Sequence, residues 1–326
     1  MGGPERFFYL NEAKIKRLVP IEECLHWSEQ GLAEFSKRQV TSPPRLRLLL
    51  PEGRTSFMPC YLPSRDCFTC KVASFYGKNK ERGYPSVVSS LLLIDPHTGY
   101  LKCLMDATYI TALRTGAMAG VAAKYLPYRK KGTVGVIGAG AVARWGFTYL
   151  NSVMSIERVL VYSRSPESRK AFARQAKKIA KAHVTVLDRP DPVASSADVL
   201  LCATSSKDPV FDGKVLREGS LVISLGANTP DTREIDSTTI LRSKIIVDSI
   251  ESALKECGEF ILPIREGLLS SDRVAVEIGQ IISGEVKELS GHEEIVLMKS
   301  VGLAAVDAVV ASYVYERAVQ QMQGKS

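Results

Sequence analysis

Residues 133–146 read TVGVIGAGAVARWG. A short apolar run enters Gly138-Ala139-Gly140-Ala141-Val142-Ala143, a GxGxxA, and a helical pattern leaves it at once. Few folds place a buried strand, two closely spaced glycines and a helix in that order. The first βα turn of a doubly wound parallel sheet does. Gly138 permits the tight turn, Gly140 lets backbone amides approach a pyrophosphate at the helix N-terminus, and Ala143 allows close helix–strand packing. Gly138, Gly140, Ala141 and Val142 are therefore candidate dinucleotide contacts, although a glycine-rich turn without a ligand would carry the same letters.

The rhythm downstream agrees. RVLVYSR (158–164), a helix over 166–182, VTVL (184–187), DVLLCATS (198–205), SLVISLG (220–226) and KIIVDS (244–249) alternate in the manner of an α/β fold. Such alternation implies a parallel sheet with helices on both faces. The second strand bears on the cofactor. An NAD site usually ends that strand in Asp or Glu for the ribose 2′-hydroxyl. Here it ends in Ser163, Arg164 and Ser165, with no carboxylate before Glu167. A guanidinium and two hydroxyls suit a 2′-phosphate, which favours NADPH over NADH. Thr204 and Gly226, near the ends of the strands 198–205 and 220–226, complete the cofactor candidates.

Upstream of about residue 104 the pattern is different. Ile21, Leu25, Leu32 and Phe35 give 20–39 a helical period, which Pro43 and Pro44 end. Short strands follow at 45–50, 56–62, 68–75, 86–94 and 100–105, separated by turn signals such as PEG, PSRD and DPHTG. This is an antiparallel meander. Its apolar stretches, SVVSSLLLI among them, have few helices nearby to cover them, and edge strands of this kind need pairing or covering. A last apolar helix occupies 302–320.

The totals exclude several classes. The 326 residues are 45% hydrophobic and 24% charged, so disorder is not indicated. The net charge of +8 is spread along the chain, which argues for a phosphate-rich cofactor or an anionic metabolite and against nucleic acid. No run approaches the roughly 20 apolar residues of a membrane helix, so no membrane partner is expected. The start lacks the apolar core of a signal peptide, and position 6 is Arg6 where a myristoylation signal wants Ser or Thr. Seven scattered cysteines favour reduced thiols and a cytoplasmic location. Cys67 and Cys70 form a CxxC without a second ligand pair, so no metal site is expected, and the pair reads as two strand cysteines or a redox dithiol.

One helix raises a separate question. LMDATYITALRTGAMAGVAAKYL (104–126) is apolar, yet Thr108, Thr111, Arg114 and Thr115 sit in its middle. Arg114 is the only charge between Asp106 and Lys124. Taken in order, MDATYITALRTGAMAGVAAKYL, GVIGAGAVA, SLGANTPDTREID and VGLAAVDAVVASYVYERA resemble the ornithine cyclodeaminase/mu-crystallin family. The resemblance covers most of the chain. It implies NAD(P)-dependent chemistry on amino acids or their imines. It also implies a Rossmann dinucleotide-binding domain over 114–303. A dimerisation and substrate-binding α+β domain would combine 1–113 with 304–326, joining the N-terminal strands to the C-terminal helix in a homodimer.

The resemblance also assigns residues. Arg114 matches the arginine that binds the substrate carboxylate, and Thr115 the residue that contacts the cofactor phosphates. Arg45 and Lys71 match two further carboxylate-binding cations, while Arg47 reads as a rim cation. Two positions depart from cyclodeaminases. Asn228 stands where they carry an acid/base carboxylate, and Ser56 where a second carboxylate holds the distal amine. Alanine-dehydrogenase-like members tend to have arginine at the second position, which is also missing. Asparagine does not exchange protons usefully near neutral pH. Asn228 then remains as a substrate contact and Lys71 as the proton donor, with Asp231 as a displaced alternative. The expectation is an NADPH-dependent reductase of an imine α to a carboxylate, acting on a small anionic imino or amino acid. An alanine-type dehydrogenase, an ornithine or lysine cyclodeaminase, and a non-catalytic NADPH-binding protein are the alternatives.

Overall fold

The computed structural model describes residues 7–287 and 294–324, which fall into two compact units. The first is Met1–Arg114 with Leu303–Ser326, and the second is Thr115–Gly302.

The first unit is built on a six-stranded sheet. Its strands are β1 (Phe8–Leu10), β2 (Leu46–Leu50), β3 (Gly53–Leu62), β4 (Cys67–Phe75), β5 (Val87–Ile94) and β6 (Leu101–Asp106). They lie in the order β1-β6-β5-β4-β3-β2. From β2 to β6 the strands form the antiparallel meander read from the sequence. β1 adds a parallel edge against β6, and the helix Glu12–Leu18, capped by Asn11, follows it. Both were missed, because three residues of strand and two turns of helix carry too little periodicity.

Strand alternation sorts the sheet into two faces. Met58, Lys71 and Leu91 are mutual neighbours across β3, β4 and β5, so they share a face with Ser56, Cys60, Leu62, Cys67 and Leu93. This face is buried. The helix Ala304–Met322 covers it, with the helix Ile21–Ser36 packed alongside. Gly31 allows that packing: a Cβ there would lie 2.9 Å from the Val306 Cα, closer than any side chain tolerates. The opposite face carries Leu46, Leu48, Leu50, Val88 and Tyr9, each more than a third exposed.

The second unit is an eight-stranded, all-parallel sheet. Its strands are β7 (Lys131–Ile137), β8 (Ser155–Tyr162), β9 (His183–Val186), β10 (Val199–Cys202), β11 (Leu221–Ser224), β12 (Ser243–Val247), β13 (Val276–Glu277) and β14 (Ile295–Lys299). The order is β13-β12-β14-β11-β10-β7-β8-β9. The first strand thus sits between the second and the fourth, which is the doubly wound arrangement. Helices pack on both faces: Leu201 lies against Gly146 of the helix Ala141–Val153, and Leu200, one residue earlier, packs with Val193. Sequence reading found six of these strands. It missed β13, and it missed β14, which inserts between β11 and β12.

Candidate active site

In the first unit the buried face of the sheet carries an ionic cluster. Lys71 Nζ donates to Asp307 Oδ2 at 2.5 Å, and Arg114 Nε donates to Asp307 Oδ1 at 2.8 Å. Lys71 and Asp307 are 1% exposed and Arg114 5%. Asp307 therefore answers the question that the apolar helix raises. The guanidinium is tolerated because a carboxylate in another apolar helix, Ala304–Met322, is buried beside it. Sequence reasoning missed Asp307, although the signal was the same as for Arg114: it is the only charge between Lys299 and Glu316.

The geometry of the pair is unusual in one respect. An arginine–carboxylate pair often closes with both oxygens on one two-donor edge of the guanidinium. Here Asp307 takes only Nε and gives its other oxygen to Lys71. The two terminal nitrogens of Arg114 have no partner among the described residues. With Lys71 protonated, two buried cations face one buried carboxylate and the cluster carries one unbalanced positive charge. Burial pulls the Lys71 pKa down to about 7, Arg114 and then Arg45 add to the shift, and Asp307 opposes it.

Arg45 is half-buried just before β2. Arg47 is half-buried too and pairs across the sheet with Ser56, which places it on the Lys71 face. Ser56, where cyclodeaminases would place a carboxylate, also lies on this face. Cys67 and Cys70 stand three apart on β4 and so point to opposite faces, which removes the dithiol reading. No group of three potential metal ligands occurs among the described residues.

In the second unit, register brings the cofactor candidates to one edge. Tyr162, Ile137, Cys202, Ser224 and Lys299 lie in one row across five parallel strands. Residues just past that row are therefore neighbours at the carboxyl edge of the sheet. They include Gly138, Ser163, Thr204 and Gly226. Gly138 has φ 104°, and a Cβ on it would strike the Ala203 carbonyl oxygen at 2.4 Å, so only glycine fits. A Cβ on Gly140 would meet nothing within 4 Å. The helix Ala141–Val153 begins there without a side-chain cap, so the first-turn amides of Ala141 and Val142 are available to an anion. This loop has the turn, the open space and the donors that a pyrophosphate requires.

Arg164 is exposed and has no partner among the described residues. Ser165 is engaged: its hydroxyl caps the helix Pro166–Ile179 by accepting from Ser168 N at 3.1 Å, and it donates to Glu167 Oε2 at 2.8 Å. Thr204 and Gly226 are held by Glu234, which is fully buried. Glu234 Oε2 accepts from Thr204 N and Oγ1, each at 2.8 Å, while Oε1 accepts from Gly226 N at 2.7 Å and Ser224 Oγ at 2.8 Å. Both amides being bonded to Glu234, Thr204 and Gly226 offer a cofactor backbone shape rather than donors. Lys299 Nζ bonds Glu259, Ser224 Oγ and the Ala227 carbonyl. Burial opposes its charge, yet Glu259 foremost keeps its pKa above the ordinary value. Asn228 and Thr115 are half-buried in this unit, whereas Arg45, Lys71 and Arg114 belong to the other.

Comparison with known proteins places this arrangement. A Δ1-pyrroline-2-carboxylate reductase of Bacillus cereus is 33% identical over 312 residues, covering 95% of this chain and 96% of the relative. The solved Δ1-pyrroline-2-carboxylate reductase of Thermococcus litoralis, in complex with NADH and L-proline, superposes with a TM-score of 0.93. It is 35% identical and covers 97% of this chain and 98% of its own. An archaeal alanine dehydrogenase dimer with bound NAD superposes with a TM-score of 0.91 at 29% identity, covering 97% of each chain. The model of the ornithine cyclodeaminase/mu-crystallin family matches residues 8–322, and the chain belongs to that family.

Proposed function

We propose that this protein reduces an imine α to a carboxylate, a cyclic imino acid foremost, to the corresponding amino acid with NADPH. It is an enzyme of the nicotinamide-dependent oxidoreductases that act on CH–NH or CH–NH2 groups, as its relatives' reductase and dehydrogenase activities support. The observation that carries the substrate class is the unbalanced charge of the Lys71–Asp307–Arg114 cluster, together with the terminal nitrogens that Asp307 leaves to Arg114. A monoanion with a planar two-oxygen head completes both. Arg114 then binds the carboxylate in two-pronged fashion, and Arg45 adds charge beside it. When bound, a nicotinamide cofactor would supply the hydride that the imine carbon takes up. Lys71 gives the proton that the imine nitrogen takes up, so one hydride and one proton convert C=N to CH–NH. Gly138, Gly140, Ala141, Val142 and Thr115 hold the cofactor in this reading, Thr204 and Gly226 shape its floor, and Asn228 contacts the substrate.

Consumption of NADPH with Δ1-pyrroline-2-carboxylate, its six-membered homologue, and pyruvate plus simple amines is the direct test. Turnover on none of them removes the reading. Release of ammonia from alanine or ornithine with oxidised cofactor would replace it with a dehydrogenase or cyclodeaminase. Tight cofactor binding with no turnover of any kind would leave a binding protein.

The pH profile has a definite sign. Only protonated Lys71 donates, and its pKa is about 7 in the free protein. kcat/KM should therefore fall above about pH 7, by roughly tenfold per unit. The substrate carboxylate stabilises the ammonium, so the same limb in kcat should lie at higher pH. Stability moves the other way. Between about 7 and the ordinary 10.5 the unfolded chain holds a proton that the folded one lacks, so stability rises with pH across that window.

Ser163 and the unpartnered Arg164 support NADPH over NADH; Ser165 lends less, because its hydroxyl caps a helix. Arg164→Ala is expected to weaken NADPH by about 10- to 150-fold, the worth of one charge-assisted bond of roughly 1.5–3 kcal/mol, and to leave NADH nearly unchanged. Equal losses for both cofactors would make Arg164 structural. A homodimer through the exposed apolar face of the first unit's sheet is proposed as well, and the dimeric alanine dehydrogenase supports it. Sedimentation at low micromolar concentration should give at least twice the chain mass; a single species at the chain mass refutes it.

A further inference from the structure

Asp307 is the anion of the cluster and so the member least suited to touch an anionic substrate, yet it alone bonds both cations. We propose that Asp307 is a positioning residue: its two oxygens hold Lys71 as a charged, fixed proton donor and pin Arg114 by its Nε edge, aiming the terminal nitrogens at the substrate carboxylate. The chemistry rests on the imine-reductase reading above; the linkage among the three side chains rests on geometry alone.

The way the carboxylate is divided carries this. A bridge that served only to neutralise Arg114 could place both oxygens on one two-donor edge of the guanidinium. Asp307 instead splits its oxygens between Nε of Arg114 and Nζ of Lys71. A buried ion pair is in any case a poor source of net stability, so its presence here calls for another role. The aim of Asp307 is fixed by its support. It follows Val306, whose backbone lies against Gly31 of the neighbouring helix, and it is shut off from water.

The charged groups that act on Lys71 most are Arg114, Asp307 and Arg45, and Arg47 shares its face of the sheet further along β2 and β3. Its cross-strand neighbours, Met58 and Leu91, are uncharged. Burial, then Cys67 and Asp307 itself, push the Cys60 thiol up to about 12, so it stays neutral and adds no charge near pH 7. Asp307 is thus the one group among these that favours the ammonium, and it is set against burial and two guanidinium groups.

Asp307→Asn keeps the shape and removes the charge. The test follows the 13Cε resonance of Lys71 in lysine-labelled protein, which titrates without substrate. The midpoint is expected to fall by about one to two units from the wild-type value. With it, kcat/KM at pH 7 should fall by at least about five- to fifty-fold, kcat by less because its limb lies at higher pH, and acidification should restore kcat. KM for the imino acid should rise and stay raised in acid, because it depends on the aim of Arg114 and not on the charge of Lys71. An unchanged Lys71 midpoint, or a kcat loss equal at every pH, overturns the proposal. Asp307→Glu retains the charge and should keep the midpoint within about half a unit of wild type; a fall as large as that of the Asn variant also overturns it. If circular dichroism shows that the Asn variant does not fold, the Glu variant decides. If the wild-type protein turns over no imine, the reductase reading fails by itself, while the Lys71 midpoints still test the linkage.

Discussion

Arg114→Ala is expected to lower kcat/KM for the imino acid by roughly two to three and a half powers of ten, with cofactor affinity nearly unchanged. Two losses combine. The substrate carboxylate loses its two-pronged partner, and Asp307 Oδ1 loses the donor that holds it at 2.8 Å in a water-free site. Removing one partner of a buried, hydrogen-bonded charge pair costs about 3–5 kcal/mol, and each 1.4 kcal/mol is tenfold. Arg114→Lys should do little better. An ammonium is a single point of charge, and it cannot bond Asp307 at one edge while presenting two parallel donors at the other. Because the alanine variant leaves a buried carboxylate oxygen of Asp307 without its donor, its fold is checked by circular dichroism and by its cofactor dissociation constant. A folded variant that loses less than about tenfold in kcat/KM would mean that the substrate carboxylate sits elsewhere.

Arg114 also shows what the sequence reveals and what it hides. A lone guanidinium in an apolar helix is visible as a contradiction, and that was enough to mark a site. Its partner was equally visible, since Asp307 stands alone in VGLAAVDAVVASYVY. What the letters lack is the pairing: residues 193 positions apart meet only because a sheet and two helices bring them together. The two questions had one answer, and reading them separately assigned Arg114 to a substrate alone.

The phosphate loop was legible for the opposite reason. All its constraints are local, so strand, turn and helix fall within fourteen consecutive residues. β14 was illegible because IVLMK is buried on every side, and a five-residue apolar run has no period to distinguish it from the approach to the next helix. Ser165 was a misjudged balance between two local signals. Serine followed by Pro166 and Glu167 marks a helix start as well as it suits a phosphate, and the hydroxyl caps the helix. The CxxC was decidable in advance. Once 68–75 is called a strand, cysteines three apart must face opposite ways.

The largest loss of stability is expected from Glu234→Ala, about 2–4 kcal/mol, in a residue that the sequence shows only as the glutamate of PDTREID. Its carboxylate accepts four hydrogen bonds, from Thr204 N and Oγ1, Ser224 Oγ and Gly226 N, and no solvent reaches it. A buried donor left unsatisfied costs about 1–3 kcal/mol, which applies in full to Ser224 and in part to the half-buried Thr204 and Gly226. One effect works against the loss. Glu234 and Glu259 share one network with the cation Lys299, so deleting Glu234 relieves the repulsion between two carboxylates linked through it. Relief of one repulsion among groups already bonded to donors is smaller than four orphaned donors, so destabilisation wins. Glu234→Gln separates the two contributions. Its amide keeps one acceptor oxygen but turns an NH2 toward either the Thr204 or the Gly226 amide, so it should cost roughly half as much. The measurement is urea unfolding without cofactor. Two compact units allow two transitions, and the shift belongs in that of the parallel-sheet unit. Cofactor affinity should fall with it, because Thr204 and Gly226 lose the anchor that sets the carboxyl edge of β10 and β11. A shift below about 1 kcal/mol for the alanine variant would show that water replaces Glu234 at little cost, and that the edge keeps its shape without it.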